Sequence, residues 1–307
     1  MKIDKWLVVI AGPTAVGKTR LAIDVAKHFR TEIISCDGRQ FYRETEIGTA
    51  KPDKEELAEV KHHFINTHSI HDDYAAGAFG NDVNQLLPEL FKGNNVVVMT
   101  GGSGLYIQGV CEGFDDIPES DEGVREQLKK DLNKKGLKTL VQELELKDSE
   151  YFQQVDLHNP QRIIRALEVI RTTGKPFSKY LTGGDNIQRD YNIIKIALRM
   201  DMEKLYDRIN QRMDIMIEQG LFDEAKKLEP YKHLNALQTV GYREIFPYFV
   251  GEYDYEEAVR LLKRNSRRYA KRQMTWLRRD QEFNWFEPTQ YDEVICFIKS
   301  KITGSHV

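Results

Sequence analysis

The run Gly12-Pro13-Thr14-Ala15-Val16-Gly17-Lys18-Thr19 follows the pattern G-x-x-x-x-G-K-T. Glycine-rich backbone N–H groups at a helix start present partial positive charge to a polyphosphate. Lys18 adds a full charge, and the Thr19 hydroxyl suits Mg²⁺. Gly12 through Thr19 are therefore diphosphate-binding candidates, with Thr19 the metal candidate; the pattern leaves open which diphosphate binds. In Ser35-Cys36-Asp37-Gly38-Arg39-Gln40, the acid Asp37 can hold Mg²⁺ through water, act as a general base, or simply cap a turn. Gly101-Gly102-Ser103-Gly104 allows close approach of backbone to a ligand and offers one hydroxyl, Ser103. Arg208 and Arg212 lie four apart, as do Gln161 and Arg165, so each pair shares a helix face. Two guanidiniums suit a diphosphate, but a solvated charged face is the competing reading, and Arg165 also reaches Glu168.

A parallel sheet would position these groups. Trp6–Ala11 is an apolar run of strand length, and behind the glycine loop Leu21, Val25 and Phe29 repeat at helical spacing. Glu32–Cys36 and Val96–Thr100 read as further buried strands ending at Asp37 and Gly101. Apolar strands alternating with helical stretches predict an α/β fold, a P-loop-type parallel sheet flanked by helices. Ligands gather at the strand ends of such sheets. The charged, helical character from about Asp115 onward predicts a mostly helical insertion over 116–190, inside a core of 1–115 and 191–307. Within the insertion a helix is expected from Gln161 to about Thr172, with turns at Gly174-Lys175-Pro176 and Gly183–Asn186. Strand character returns at Tyr191–Leu198. Helices are expected at Glu203–Glu218, Phe222–Leu228, Thr239–Val250 and Tyr255 to about Arg279.

Composition narrows the class of protein. Among 307 residues, 40% are hydrophobic and 30% charged, which fits a globular chain and excludes wholesale disorder. No apolar run approaches the roughly 20 residues of a membrane helix, and Trp6–Ala11 is too short for a signal peptide, so a cytoplasmic protein without a membrane partner is expected. Cys36, Cys111 and Cys296 form no CxxC pair, which argues against a disulfide framework and a zinc module. The net charge is −3, yet Arg260, Lys263, Arg264, Arg267, Arg268, Lys271, Arg272, Arg278 and Arg279 crowd one stretch before a single acid, Asp280. Tyr269 and Trp276 interleave with them. Such a patch on an acidic body points to polyphosphate or nucleic acid. Arg267, Arg268, Lys271 and Arg272 are the nucleic-acid contacts it nominates.

Taken in order, these stretches resemble the bacterial tRNA dimethylallyltransferase family over nearly the whole chain. The resemblance is carried by GPTAVGKT at 12–19, SCDGRQFY at 35–42, GTAKP at 48–52, HH at 62–63 and GGSGLY at 101–106. It continues through HNPQRIIRALEV at 158–169, the Arg208/Arg212 helix, VGYREI at 240–245 and KRQMTWLR at 271–278. Gly38 stands where the family has Ser, and Ser103 where Thr is usual. The resemblance implies that the loop holds dimethylallyl diphosphate, with Mg²⁺ as cofactor, and that the reaction is alkyl transfer to an adenine beside the anticodon. It makes Asp37 the base, Lys18 a neutraliser of the leaving diphosphate, and either Arg208 or Arg212 a catalytic partner. It places Asp37, Gly38, Arg39, Gln40, Ser103, Arg125, Gln161, Arg162, Ile163, Ile164 and Arg165 against the tRNA anticodon stem-loop. Competing readings are an isopentenyltransferase acting on free adenosine nucleotides, a small-molecule ATP kinase and a non-enzymatic RNA-binding ATPase. Nothing in the sequence demands a dimer, so a monomer is expected.

Overall fold

The computed structural model describes residues 4–119, 121–181 and 189–304. The chain runs β1 (Trp6–Ala11), α1 (Lys18–Phe29), β2 (Ile33–Ser35), α2 (Lys54–Glu59), β3 (His62–His63), α3 (Ala76–Gly93), β4 (Val96–Gly101) and α4 (Gly104–Cys111). Four helices follow: α5 (Glu122–Lys135), α6 (Leu137–Lys147), α7 (Ser149–Phe152) and α8 (Pro160–Thr173). The remainder is β5 (Asn192–Leu198), α9 (Met202–Glu218), α10 (Leu221–Leu228), α11 (Tyr242–Phe249), α12 (Tyr255–Leu277), β6 (Asn284–Phe286) and α13 (Tyr291–Gly304). Two compact units result, one from 1–111 with 188–307 and one from 112–187.

In the first unit the strands form one parallel sheet in the order β3-β2-β4-β1-β5-β6. Successive residues of β1 point to opposite faces: Leu7, Val9 and Ala11 enter one core with α3 and α11, while Trp6, Val8 and Ile10 enter another with α1 and α13. Helices cover both faces, which is why the strands read as unbroken apolar runs. The carboxyl ends of β2, β4 and β1 are neighbours, and they carry Asp37, the Ser103 turn and the glycine loop.

The second unit has its own core of Leu128, Leu140, Leu144, Ile163, Ile164, Leu167 and Ile170. Its best-defined helix, α8, starts one residue earlier than the spacing predicts. The Asn159 side chain caps it by accepting from Arg162 N–H (3.3 Å), and Pro160, which lacks an N–H, fits the first turn.

The sequence misses two short edge strands, β3 and β6, whose two and three residues are too few for a periodic signal. It also starts α11 too early: Gly241, at φ 112°, breaks the chain between Val240 and Tyr242. The turn expected at Gly183–Asn186 lies outside the described residues.

Gly101 pairs with Ala11 at the end of β4, and a Cβ there would fall inside the carbonyl of Cys36. Gly101→Ala is expected to force β2 and β4 apart and cost about 3 kcal/mol, read as a lowered denaturant midpoint.

Candidate active site at the strand ends

The glycine loop leaves β1 and turns into α1 through Ala15 (φ 64°) and Gly17 (φ 109°). No side chain caps α1 and no acid sits in its first turn, so its N-terminal N–H groups remain directed at an incoming anion. One loop donor is already committed: Thr14 N–H bonds Gln273 Oε1 (2.8 Å), and Gln273 Nε2 in turn donates to Gly102 O (2.8 Å). Lys18 Nζ donates to Pro13 O (2.7 Å).

A cavity of about 140 Å³ opens over these strand ends. Its lining brings together Thr14, Lys18 and Thr19 from the loop, Asp37 and Arg39 after β2, and Arg212 from α9. Ile209, Met213 and Met216 supply apolar wall from the same face of α9, and Tyr269 and Gln273 reach in from α12. Arg208 does not line the cavity. Its guanidinium instead lies 3.8 Å from where a Cβ on Gly17 would sit, flanking the loop. Ser103 Oγ accepts from Gly38 N–H (2.9 Å), tying the loops after β2 and β4 together.

The electrostatics are unbalanced. Loss of water lowers the Lys18 ammonium to about 8; Asp37 opposes that drop and Arg212 reinforces it. Desolvation and then Arg208 also push the Arg212 guanidinium down. The Asp37 carboxyl is raised by burial, against the Arg39 N–H bonded to its Oδ1 (3.0 Å) and the charge of Lys18. Three cations and one reluctant carboxylate around a cavity form a site awaiting an anion.

Several expected contacts change character. Gln40 is a building block of the cavity wall: its Nε2 donates to Thr49 O (3.3 Å) and Ala50 O (3.1 Å), while Oε1 accepts from Ser35 (3.1 Å). Arg267 donates to Asn210 on α9 (2.6 Å) and so joins two helices, whereas Arg268, Lys271 and Arg272 are exposed. Arg260 pairs with Glu257 (2.6 Å) and Lys263 with Asp214 (2.5 Å), so part of the basic run is internally neutralised. A Cβ on Gly38 would press on the Tyr106 ring at 2.9 Å, which fits glycine at this position in this chain.

In the second unit, Ile163 and Ile164 are corrected from RNA contacts to core residues: both are buried, because the apolar stripe of α8 faces inward. Gln161 and Arg162 are exposed. Arg165 Nη1 (3.2 Å) and Arg125 Nε (3.8 Å) both approach the fully buried Glu168 carboxylate, so these arginines are anchored rather than free-swinging.

The model of one family, described as IPP transferase, matches residues 40–280. The chain belongs to the IPP transferase family. A tRNA dimethylallyltransferase of Christiangramia forsetii is 49% identical, over 98% of this chain and 99% of the relative. One from Cytophaga hutchinsonii is 47% identical over 98% of each. Among solved structures, a full-length tRNA isopentenylpyrophosphate transferase from Bacillus halodurans superposes with TM-score 0.72 at 37% identity, covering 99% of this chain and 98% of that one. A eukaryotic dimethylallyltransferase acting on tRNA shares the fold, with TM-score 0.78 at 22% identity, over 98% of this chain and 80% of its own.

The sequence names Tyr269 only as an aromatic within the basic patch and does not single out Gln273, because the arginines of the surrounding charge run dominate its pattern. A signal for both exists in their helical spacing. Tyr269 and Gln273 are four apart, on a face of α12 that also carries the buried Ser266 and Ala270. His62 also lines the cavity; its Nδ1 bonds Val60 O (2.8 Å), which leaves Nε2 as the lone-pair side.

The depressed Lys18 pKa has a stability consequence. Below about pH 8 the ammonium is charged in both folded and unfolded chains, and its desolvation cost is fully present. Between that pH and the ordinary lysine value the folded chain sheds the proton first, and the cost fades. Lys18→Met is therefore expected to raise the melting temperature of the ligand-free protein at pH 7 by about 2–4 °C. The gain should vanish toward pH 10.5, measured as melting curves across that range.

Proposed function

We propose that this enzyme transfers a dimethylallyl group from dimethylallyl diphosphate to the exocyclic amine of the adenine 3′-adjacent to the anticodon in tRNA, releasing diphosphate. The observation that carries this reading is the pairing, in one cavity, of the cations Lys18 and Arg212 with the raised carboxylate of Asp37. In the reaction the bond from carbon to the diphosphate oxygen breaks and a carbon–nitrogen bond forms. The amine proton goes to Asp37 Oδ. An exocyclic adenine amine is a weak nucleophile, and a carboxylate whose pKa burial has raised is a better base for it than an exposed one. Charge that grows on the departing diphosphate is met by Lys18, Arg212 and the open N-terminus of α1.

Thr19 supports a role for Mg²⁺. Thr19 lines the cavity beside Lys18, and Mg²⁺ takes few protein ligands when phosphates and water supply the rest. Among the described residues no group of three or more His, Cys, Asp or Glu side chains is placed to hold a metal ion. When bound, the ion would neutralise diphosphate charge.

A polymeric acceptor is favoured over a free nucleotide by the exposed Arg268, Lys271 and Arg272 on α12 and by Gln161 and Arg162 at the start of α8. Cations of this kind suit a phosphate backbone more than a single nucleoside. No helix of the described residues is long and apolar enough to cross a membrane.

The test is an assay with dimethylallyl diphosphate, ATP and unmodified tRNA. Prenylated tRNA is expected; phosphoryl transfer from ATP would replace this reading with the kinase one. Asp37→Asn should lower the single-turnover rate about 10²–10⁴-fold with little change in tRNA affinity. Neutralising Arg268 and Lys271 together should weaken tRNA binding and flatten its salt dependence, by roughly 0.7–0.9 in slope for each phosphate no longer engaged. Donor binding should stay unchanged, as a titration of affinity against salt will show.

A further inference from the structure

Several polar groups of the cavity wall formed by Gly48, Thr49, Ala50 and Pro52 are already bonded within the protein. Thr49 Oγ1 donates back to Thr45 O (3.0 Å) and Glu46 O (3.2 Å), and the carbonyls of Thr49 and Ala50 accept from Gln40. The donors on the other side converge on one acid from a distant element. Glu224 on α10 accepts from Glu46 N–H (3.0 Å) and Ile47 N–H (2.8 Å) through Oε2, and from Gly48 N–H (2.8 Å) through Oε1. Tyr242 on α11 adds its hydroxyl to the same Oε1 (2.6 Å).

This arrangement is more specific than a surface cap. The short 3₁₀ turn Ile47–Thr49 has no capping side chain of its own, so a carboxylate supplied from far along the chain satisfies its leading N–H groups. Gly48 has no room for a Cβ, because the Tyr242 ring occupies that space. Burial and the adjacent carboxylate hold the Tyr242 phenol well above its ordinary range, which keeps it a donor. Charge-assisted bonds of this kind are about twice as strong as neutral ones, and four of them fix one oxygen pair.

We infer that Glu224 is a positioning residue for the transfer reaction: its carboxylate, with Tyr242, sets the position of the 48–52 wall against which the substrates are held. The inference rests on the proposed function, since it assigns Glu224 a part in that reaction without contact to either substrate.

Glu224→Ala and Tyr242→Phe separate this role from bulk stability. In Glu224→Ala the amides of Glu46, Ile47 and Gly48 should lose hydrogen-exchange protection, while those of β1 and β4 keep theirs. Its kcat/KM for dimethylallyl diphosphate should fall about 10–100-fold, as expected for misplacement on the order of 1 Å. The fall should appear mainly in KM, after correction for the folded fraction, with direct tRNA affinity unchanged. Tyr242→Phe, which removes one of four donors and no carboxylate, should fold normally and show the same KM effect at about two- to fivefold. Unchanged exchange at 46–48, or weakened protection with wild-type kcat/KM, overturns the inference. Wild-type protein that fails to prenylate tRNA would instead overturn the proposed function and, with it, this role for Glu224.

Discussion

The side-chain amide of Gln273 is buried between the glycine loop and the turn after β4, accepting from Thr14 and donating to Gly102. The two bonds span 259 and 171 residues of the chain. They bring α12, near the end of the sequence, onto loops that follow the first and fourth strands. A buried amide left half-satisfied is costly, so the two loops and the helix are held in one mutual arrangement or not at all. The close seat of Trp276 against Gly104, where no Cβ fits, continues the same packing one turn further along the helix. Without this bridge the cavity would have a floor of strand ends and no fixed roof.

Around that frame the site is electrostatically dissatisfied by design. The Lys18 ammonium is lowered by partial loss of water, the Arg212 guanidinium is pushed down with Arg208 beside it, and Asp37 is raised by burial although a cation stands beside it. Each shift marks a charge that the free protein holds at a cost and that a diphosphate or a transferable proton would relieve. Perturbed groups of this kind cluster where chemistry is done. Lys195 is the contrast. Also a core lysine, it is met by Asp280 (2.7 Å) and Glu282 (2.7 Å), and its pKa rises. That lysine is a structural tie between β5 and the segment after α12, and its charge needs no ligand.

The basic run on α12 divides in the same way. Arg260, Lys263 and Arg267 are spent on Glu257, Asp214 and Asn210, which neutralise part of the helix and fasten it to α9. Arg268, Lys271 and Arg272 face solvent. One stretch of sequence thus serves both packing and phosphate attraction. The division follows from which partner stands within reach of each side chain: Glu257 on the turn before Arg260, and Asp214 and Asn210 on α9 beside Lys263 and Arg267.

Sequence alone determined the α/β class, the glycine loop with Lys18 and Thr19, the acid at Asp37, the paired arginines at 208 and 212, and the family. These are legible because their information is local: an apolar run, a fixed spacing, a motif read within a dozen residues. Tertiary structure alone decided that Arg212 lines the cavity while Arg208 flanks the loop, and that Gln40 and Glu224 both hydrogen-bond the backbone of the 46–50 segment. It also decided that Ile163 and Ile164 face a core and that Gln273 ties the site together. Those facts depend on what each side chain meets across long stretches of chain. A side chain's hydrogen-bond partners are set by packing, and no spacing within one helix records them.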